Sequence, residues 1–595
     1  MTSIDELFKS SSVAGKRKLE VSHDPSHYYK SAKLSANGDV KGKTHATVED
    51  DPEEIEDDDD VEAGPALPPD EDEEYGPEDE EGRFFGGGVD RNQREALDFI
   101  EQQEKENDDG EVIYDAKWLR KLASNLEKRI AKNADLRAKY GDDPEKFMAS
   151  EADLDDEIKA LSVLSEHPEL YEEFAKLGCV ESLVGLLAHE NADVAIDAIE
   201  ILSQLLTEDV QAGEQQFNAV LHAVMQTDLF DLVTANLKRL NEDEETDRTG
   251  VTRALSILAT LASRPASAER LAKEDKLLDW LLTRIQNLSS AMILLQNKQS
   301  AAETLASLVD NNVSSRQKLI QRGAVNTFLE LLASYRRHYP TDETEAEYVE
   351  NLFDALTFLV DDPEGKSKFL EAEGVELMLI FLRESKLAKA HALGVLDHAM
   401  GGATGAEVCI MLVEKQGLKN VFRTFMKTKP EEMTGEVVER TLGIFVSLLR
   451  SLPNDSAERI RTLAKFVEKD YEKIEQLVKV RRAYGTQLQQ ANSEIAQERK
   501  QTNAKDIADL EIGWLAMRLD AGLLPSQVVD EILAWLIAED GGAKKKIVSL
   551  LQEQDENLED IRKTLQEQVE GTTDADEEAK VLKDILTTLI PFIAP

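Results

Sequence analysis

Along most of this chain, apolar residues recur at intervals of three and four positions, which is the spacing of one face of an α-helix. Six segments add a finer pattern, in which two short apolar helical stretches flank one turn residue. The turn residues are Gly178, Thr227, Asp275, Gly323, Gly374 and Gly417. Their spacings lie between 43 and 51 residues, and each unit is followed by a further helical pattern. The sequence therefore predicts a helical repeat near the armadillo/HEAT period.

The turn residue of each unit is expected to act as a joint. A glycine or a small polar residue lets one helix end and the next begin at a sharp angle, and glycine accepts the positive φ that other residues avoid. We expect this conformation at Gly374. One unit cannot bury both of its apolar faces, so neighbouring units must stack into a superhelix with an extended concave surface. The predicted fold is an all-α, armadillo/HEAT-like α-solenoid.

Composition divides the chain into four segments. Residues 1–82 combine Ser, Pro, Gly and charge with few apolar residues, so we predict a disordered acidic tail. Residues 83–160 are predicted to form an N-terminal helical cap, 161–452 the repeats, and 453–595 a C-terminal helical cap. Terminal units lack a neighbour on one side, which accounts for their different pattern. A coiled-coil partner site is the alternative for the last segment, and the caps also offer surfaces for a homodimer.

The chain has a formal net charge of −50, and its acidity is not confined to the tail. The stretch from Glu49 to Glu81 contains twenty acidic residues and neither lysine nor arginine, which leaves −30 for the rest. Such a surface repels phosphate backbones, so no direct binding of nucleic acid is expected. Basic segments of other proteins are the partners that this charge favours. The alternative is that the acidity only maintains solubility.

Recognisable catalytic and ligand-binding motifs do not occur in this sequence. It lacks a nucleophile elbow, a zinc-protease HExxH, a phosphate loop and a calcium-binding loop. Cys179 and Cys409 stand in apolar helical contexts without metal-ligand spacing. Asp397 and His398 are adjacent on a predicted helix and point about 100° apart, which favours a structural role. We therefore expect no enzyme activity, no cofactor and no metal, and no transmembrane helix.

The stretch SYRRHYP, residues 334–340, interleaves arginine with tyrosine. Aromatic residues and arginines in this arrangement can stack on RNA bases. The favoured interpretation is an inter-repeat loop, whose Arg336 and Arg337 pair with carboxylates of the following DETEAEYVE.

Four stretches resemble one known family. They are NLEKRIAKNADLRAKYGDDPEKFMASEADLDDEI, VENLFDALTFLV, KAHALGVLDHAM and RLDAGLLPSQVVDEILAWLIAE. With these segments, residues 85 to 590 resemble the beta-catenin-like protein 1 family of nuclear armadillo proteins. The resemblance implies a noncatalytic scaffold associated with the spliceosome and its Prp19/CDC5-like complex, which serves pre-mRNA splicing. It also implies binding of basic, nuclear-localisation-type segments of splicing proteins. A nuclear transport adaptor for basic cargo is the alternative.

Carboxylates are the expected chemistry for binding basic segments. Importin-α-type armadillo proteins carry a Trp-x-x-x-Asn ladder on the third helix of successive repeats. The corresponding stretches here, AIDAIEILSQLL, ALSILATLAS and LFDALTFLV, contain no tryptophan and no ladder asparagine. In an armadillo stack these repeat-closing helices line the concave face. The candidate groove residues on them are Asp197, Glu200, Glu303, Glu350, Asp354 and Asp397.

A short basic cluster in the tail, Lys16, Arg17 and Lys18, has the composition of a nuclear localisation signal. We predict that replacing all three with alanine reduces nuclear accumulation, because the chain is too large to equilibrate readily by diffusion. Fluorescence microscopy of the tagged protein checks this, and circular dichroism should show an unchanged fold. Undiminished nuclear signal would mean that entry depends on a partner or on another segment.

Overall fold

The computed structural model describes residues 113–207, 213–286, 292–385, 388–501, 507–572 and 577–593. These residues form 26 α-helices and several short 3₁₀ turns, and they contain no strand. The predicted all-α fold is confirmed. The basic cluster at Lys16–Lys18, the predicted disordered tail and the first part of the N-terminal cap lie outside the described residues.

Six repeats of three helices form the centre of the chain. They are preceded by α1 (Ala116–Lys139) and α2 (Met148–Ala160). The first three repeats are α3–α5 (Tyr171–Lys176, Cys179–Leu186, Ala192–Leu205), α6–α8 (Glu214–Met225, Leu229–Arg239, Glu245–Ala262) and α9–α11 (Pro265–Leu271, Asp275–Ile285, Met292–Asn311). The others are α12–α14 (Val313–Gln321, Ala324–Ser334, Glu343–Leu359), α15–α17 (Pro363–Glu371, Gly374–Glu384, Lys389–Met400) and α18–α20 (Ala406–Glu414, Leu418–Met426, Glu436–Ser451). Three helices per unit is the armadillo arrangement.

The third helices form one continuous layer. Each packs against the third helix of the next repeat, in the order α5, α8, α11, α14, α17 and α20. Before them α2 packs against α5. A buried apolar cluster runs through all six repeats and into the flanking helices. Because every third helix is covered on two sides by its neighbours, only one narrow stripe of it reaches solvent.

The joint between the first and second helix of a repeat takes two forms. Gly323 has φ +78°, and beyond its two chain neighbours no residue has an atom within 4 Å of the position that its Cβ would occupy. Here glycine is needed for its positive φ. The prediction of a positive φ at Gly374 is wrong, because Glu373 takes the left-handed conformation at φ 57° and Gly374 is already the first helical residue. The same one-residue shift occurs at Gln416, which precedes Gly417.

Close packing, not backbone conformation, explains the glycine at 374. A Cβ added to Gly374 would lie 2.3 Å from the Phe369 ring, far inside van der Waals contact. The apolar pattern also fits the shifted joint, since Val375, Met378 and Leu379 stand two, five and six positions after Glu373 and are buried. The turn therefore lies at the predicted joint, but its left-handed residue is Glu373, one position before the predicted Gly374.

After the repeats come α21 (Ala457–Gln501), α22 (Ile507–Asp520), α23 (Leu523–Glu539), α24 (Gly541–Gln552), α25 (Leu558–Gly571) and α26 (Glu577–Leu589). Non-helical backbone at Glu468–Tyr471 breaks α21 into two parts.

Buried ion pairs connect α23 to the helices around it. Asp530 and Glu531 are both buried on α23. Arg481 Nε of α21 lies 2.6 Å from Asp530 Oδ1, and Arg450 of α20 pairs with Glu531. Removing one partner of such a pair leaves an uncompensated buried charge. The last repeat and the C-terminal helices are therefore held together by polar contacts as well as apolar ones.

We predict that Gly374→Val lowers the free energy of unfolding by about 1–3 kcal/mol, because the added side chain overlaps the Phe369 ring. Gly323→Val should lose a similar amount through backbone strain. Gly185→Ala is the control: this glycine lies inside α4, and no atom lies within 4 Å of the place that an alanine methyl would take, so this variant should gain up to about 1 kcal/mol. Urea denaturation measures all three. An unchanged midpoint for Gly374→Val would contradict the packing explanation.

Candidate functional site

The stripe that the third helices leave exposed is acidic in several repeats. On α14, Tyr348, Val349, Leu352, Phe353 and Leu356 are buried with the rest of the apolar face. The exposed positions include Glu343, Glu347, Glu350 and Asp354, spaced by four, three and four residues. Residues at this spacing lie above one another on a helix. One side of α14 is thus an uninterrupted row of four carboxylates.

All six predicted groove residues lie on third helices, and the structure gathers five of them into two clusters. The first, which we call the amino-terminal acidic cluster, consists of Asp155, Asp197 and Glu200. The second, the carboxyl-terminal acidic cluster, consists of Glu350, Asp354, Asp397 and Glu436. Glu303, on α11 between them, belongs to neither cluster and accepts a hydrogen bond from Gln299 Nε2 at 3.3 Å.

In the amino-terminal acidic cluster, two carboxyl groups share a hydrogen bond. Asp155 on α2 contacts Asp197 on α5, and Lys159 Nζ lies 2.7 Å from Asp155 and 3.6 Å from Asp197 Oδ2. Burial and the Asp155 carboxylate raise the pKa of Asp197 to about 7. Glu200, one turn further, lies 3.6 Å from Arg253 of the next repeat. Lys159 therefore offsets the charge of both Asp155 and Asp197. Asp197 is partly protonated near neutral pH.

The carboxyl-terminal acidic cluster spans α14, α17 and α20. Solvent reaches Asp354, yet the surrounding protein and the carboxylates of Glu350 and Glu436 raise its pKa to about 6. His391 and Arg440 oppose this increase. The imidazole of His391 stacks on the Phe353 ring at a centroid distance of 5.3 Å, which fixes its position beside the cluster. In the carboxyl-terminal acidic cluster, the carboxylates therefore outnumber the positively charged groups beside them.

Asp397 is set into the surface of the following helix. Its side chain is 21% exposed, and Oδ2 lies 3.7 Å from Arg440 Nη1. A Cβ on Gly443 would come within 2.0 Å of Asp397 Oδ1, so glycine there makes room for the carboxylate. Burial raises the pKa of Asp397 to about 6, against the effect of His398 and Arg440.

The neighbouring His398 contacts residues other than Asp397. Its Nδ1 lies 3.0 Å from Asp361 Oδ1, and its Nε2 lies 3.3 Å from Arg440 Nη1. Asp397 and His398 therefore form no acid–base pair with each other, as their spacing on the helix predicted.

Two carboxylates of the clusters and the two cations beside them were not identified from the sequence. Asp155, Lys159, Glu436 and Arg440 come from α2 and α20 and meet the predicted residues only across helix boundaries. One signal was available: Asp155 and Lys159 stand four positions apart, the spacing of a helical ion pair. Nothing in the sequence shows that Arg440 reaches Asp397.

The favoured interpretation of SYRRHYP is wrong about the arginines' partner. Arg337 lies 3.9 Å from Glu384 in the following repeat and is 77% exposed, so the contact is weak. The carboxylate Glu345 instead accepts a hydrogen bond from Tyr335 Oη at 3.0 Å. The predicted inter-repeat position of this loop is also wrong, because it connects α13 and α14 within the fourth repeat. Its contact through Arg337, however, reaches the next repeat.

The described residues offer little for catalysis. Cys179 and Cys409 are free and buried, and burial raises the pKa of each thiol to about 12. No three His, Cys, Asp or Glu side chains in the described part of the chain lie close enough to hold a metal ion. Nor does any single described helix have the length and apolarity to cross a membrane, although the bent pair Leu510–Asp520 and Leu523–Glu539 passes that test when taken together.

Comparison with known proteins gives consistent matches. Residues 94–566 match the family described as "Catenin-beta-like, Arm-motif containing nuclear". The Beta-catenin-like protein 1 homolog of Schizosaccharomyces pombe is 35% identical over 507 residues, which cover 84% of this chain and 87% of that protein. Beta-catenin-like protein 1 of Rattus norvegicus and of Homo sapiens are each 33% identical over 471 residues, covering 77% of this chain and 83% of theirs. The chain therefore belongs to the catenin-beta-like family of armadillo-motif proteins.

Proposed function

We propose that this protein is a noncatalytic scaffold that binds basic segments of splicing proteins in the nucleus, and that the acidic stripes of its third helices are the binding surface. The observation that supports this most strongly is the row Glu343, Glu347, Glu350 and Asp354 on α14. Extended peptides fit such a surface because solenoids present their third helices along one continuous face.

The energetics of the row support a binding role over a structural one. Like charges at i,i+4 destabilise a helix by about 0.2–0.5 kcal/mol per pair. Burial and neighbouring carboxylates raise the pKa of Asp197 and Asp354, which means that their charged forms are unfavourable in the unbound protein. A lysine or arginine from a partner relieves this repulsion. The acidic stripes of the third helices therefore favour the binding of cations.

The nuclear location and the splicing role rest on the family. The matching family is described as nuclear, and the basic cluster at Lys16–Lys18 supplies a means of entry. The resemblance to the spliceosome-associated family supplies the class of partner. The negative net charge of the chain does not rule out any class of protein partner, but it favours basic partners.

We predict that a lysine- and arginine-rich peptide from a splicing partner binds the full chain with strong salt dependence. Each wet ion pair contributes only about 0–1 kcal/mol, so the affinity must come from several together. Raising salt from about 0.1 M to about 1 M shortens the Debye length from about 10 Å to about 3 Å and should abolish most binding. Fluorescence anisotropy measures this directly. Salt-insensitive binding would point to an apolar surface.

Charge reversal then locates the site. We expect Glu350→Lys together with Asp354→Lys to weaken the peptide roughly tenfold, since two attractive contacts become repulsive. The matched control is Glu181→Lys with Asp231→Lys, which makes the same change in net charge at exposed positions on the second helices α4 and α7. If the control weakens binding as much as the groove variant does, only the net charge matters and the groove is rejected.

Affinity purification from nuclear extract separates the scaffold from the alternative, a transport adaptor for basic cargo. A scaffold co-purifies with a stable splicing complex, which mass spectrometry identifies. An adaptor releases its cargo when a regulatory partner binds. Recovery of import factors without splicing proteins would favour the adaptor.

A further inference from the structure

A cavity of about 640 Å³ lies between the fifth and sixth repeats. It is bounded where the second helices α16 and α19 end and where the third helices α17 and α20 begin. Its cationic lining residues are Arg383, Lys389, Arg423 and Lys427. Four carboxylates, Glu384, Glu431, Glu432 and Glu436, line the cavity as well, so its wall carries equal numbers of cations and acids.

Three of these cations have no acidic partner in the described part of the chain. Lys389, Arg423 and Lys427 make no ion pair there, whereas Arg383 contacts Glu384 at 2.8 Å. The other acids of the wall are also engaged, because Lys429 lies 3.5 Å from Glu432 and 4.0 Å from Glu431. Lys389, Arg423 and Lys427 are thus the charged groups of the wall that are available to a ligand, and Arg423 and Lys427 stand one helical turn apart on the same side of α19.

Two helix N-termini also meet the cavity. Ala388 precedes α17, and Gly435 precedes α20; neither gives a side-chain cap to the N–H groups of the first turn. Uncapped N–H groups and the positive end of a helix dipole favour anions. α17 and α20 are 12 and 16 residues long, so each has a fully developed helix dipole. Cationic side chains and backbone donors therefore point to the same class of ligand.

The cavity adjoins the carboxyl-terminal acidic cluster. Glu436 lines the cavity and lies 3.8 Å from Arg440 Nε, while Arg440 Nη1 lies 3.7 Å from Asp397. The cavity and the carboxyl-terminal acidic cluster thus share Glu436, in the first turn of α20. A single short peptide can place opposite charges in both.

We propose that this cavity binds the phosphate of a phosphorylated serine or threonine in a basic partner segment whose lysines or arginines occupy the carboxyl-terminal acidic cluster. The inference rests on the proposed function and adds its regulation: phosphorylation strengthens binding. A phosphate presents three strong acceptor oxygens and up to two negative charges, which match Arg423, Lys427 and the uncapped N–H groups. A long nucleic acid fits less well, since the strongly negative chain around the cavity repels an extended polyanion.

The test uses the full chain and two synthetic peptides, rich in lysine and arginine, that differ by one phosphate on a serine. We expect the phosphorylated form to bind about tenfold more tightly. In the variant Arg423→Gln/Lys427→Gln the preference should vanish or invert, because the remaining acidic face repels phosphate. The affinity of the unphosphorylated peptide should stay within about twofold, since neither residue belongs to the acidic clusters.

Lys238→Gln/Lys276→Gln is the matched control. Both lysines are exposed on second helices, α7 and α10, and make no ion pair within the described residues, so the net charge changes equally. This variant should keep the tenfold preference. Circular dichroism confirms that each variant is folded.

Several outcomes would overturn the inference. Equal affinity of the two peptides for the unchanged protein would do so, as would a phosphate preference that survives Arg423→Gln/Lys427→Gln. A single-stranded RNA of 12 nucleotides that binds through Arg423 and Lys427, with no phosphopeptide preference, would assign the cavity to nucleic acid instead. If Glu350→Lys with Asp354→Lys leaves the binding of both peptides unchanged while Arg423→Gln/Lys427→Gln removes the phosphate preference, the cavity is a phosphate site, but the proposed function of the acidic clusters fails and the combined inference fails with it.

Discussion

The packing of each third helix between its two neighbours is the constraint on which the rest of the structure depends. Stacking buries two sides of the helix, so polar residues are confined to the one remaining stripe. Successive stripes are then brought side by side, whatever their charge. When they are acidic, carboxylates from different repeats approach one another. The meeting of Asp155 with Asp197, and of Asp354 with Glu436, follows from this arrangement.

The same constraint connects stability to function. Apolar burial along the layer stabilises the fold, and the crowded carboxylates reduce that stability. A few internal cations limit the cost: Lys159 serves the amino-terminal acidic cluster and Arg440 the carboxyl-terminal one. These cations leave negative charge in excess. Repulsion between the groove carboxylates therefore destabilises the unbound protein, and a basic ligand reduces this repulsion.

Much of the fold could be predicted from periodicity, because burial of one helix face leaves a regular apolar pattern. The six joints were found in this way. Asp275 is already the first residue of α10, and Gly374 and Gly417 each follow the left-handed residue by one position. That displacement has a physical reason: a non-glycine residue, Glu373 or Gln416, takes the left-handed conformation, and the glycine is needed for packing.

The candidate site was predictable only in part. The stripe positions Glu350, Asp354 and Asp397 follow from helix geometry within one repeat. Arg440, Glu436 and the cavity around Arg423 depend on which residues of different repeats meet, and a local pattern carries no such information. For Arg337, whose contact crosses to Glu384 of the next repeat, the local pattern pointed to the wrong carboxylates.

Proton release on binding tests the central claim most directly. Titration calorimetry of the basic peptide at pH 6.5, in two buffers of different ionisation enthalpy, gives the number of protons released. The pKa values of Asp197, Asp354 and Asp397 are raised to about 7, 6 and 6, and a bound cation should lower them again. We expect protons to be released at pH 6.5 and almost none at pH 8, where the carboxyls are already ionised. Binding at pH 6.5 without proton release would contradict the account.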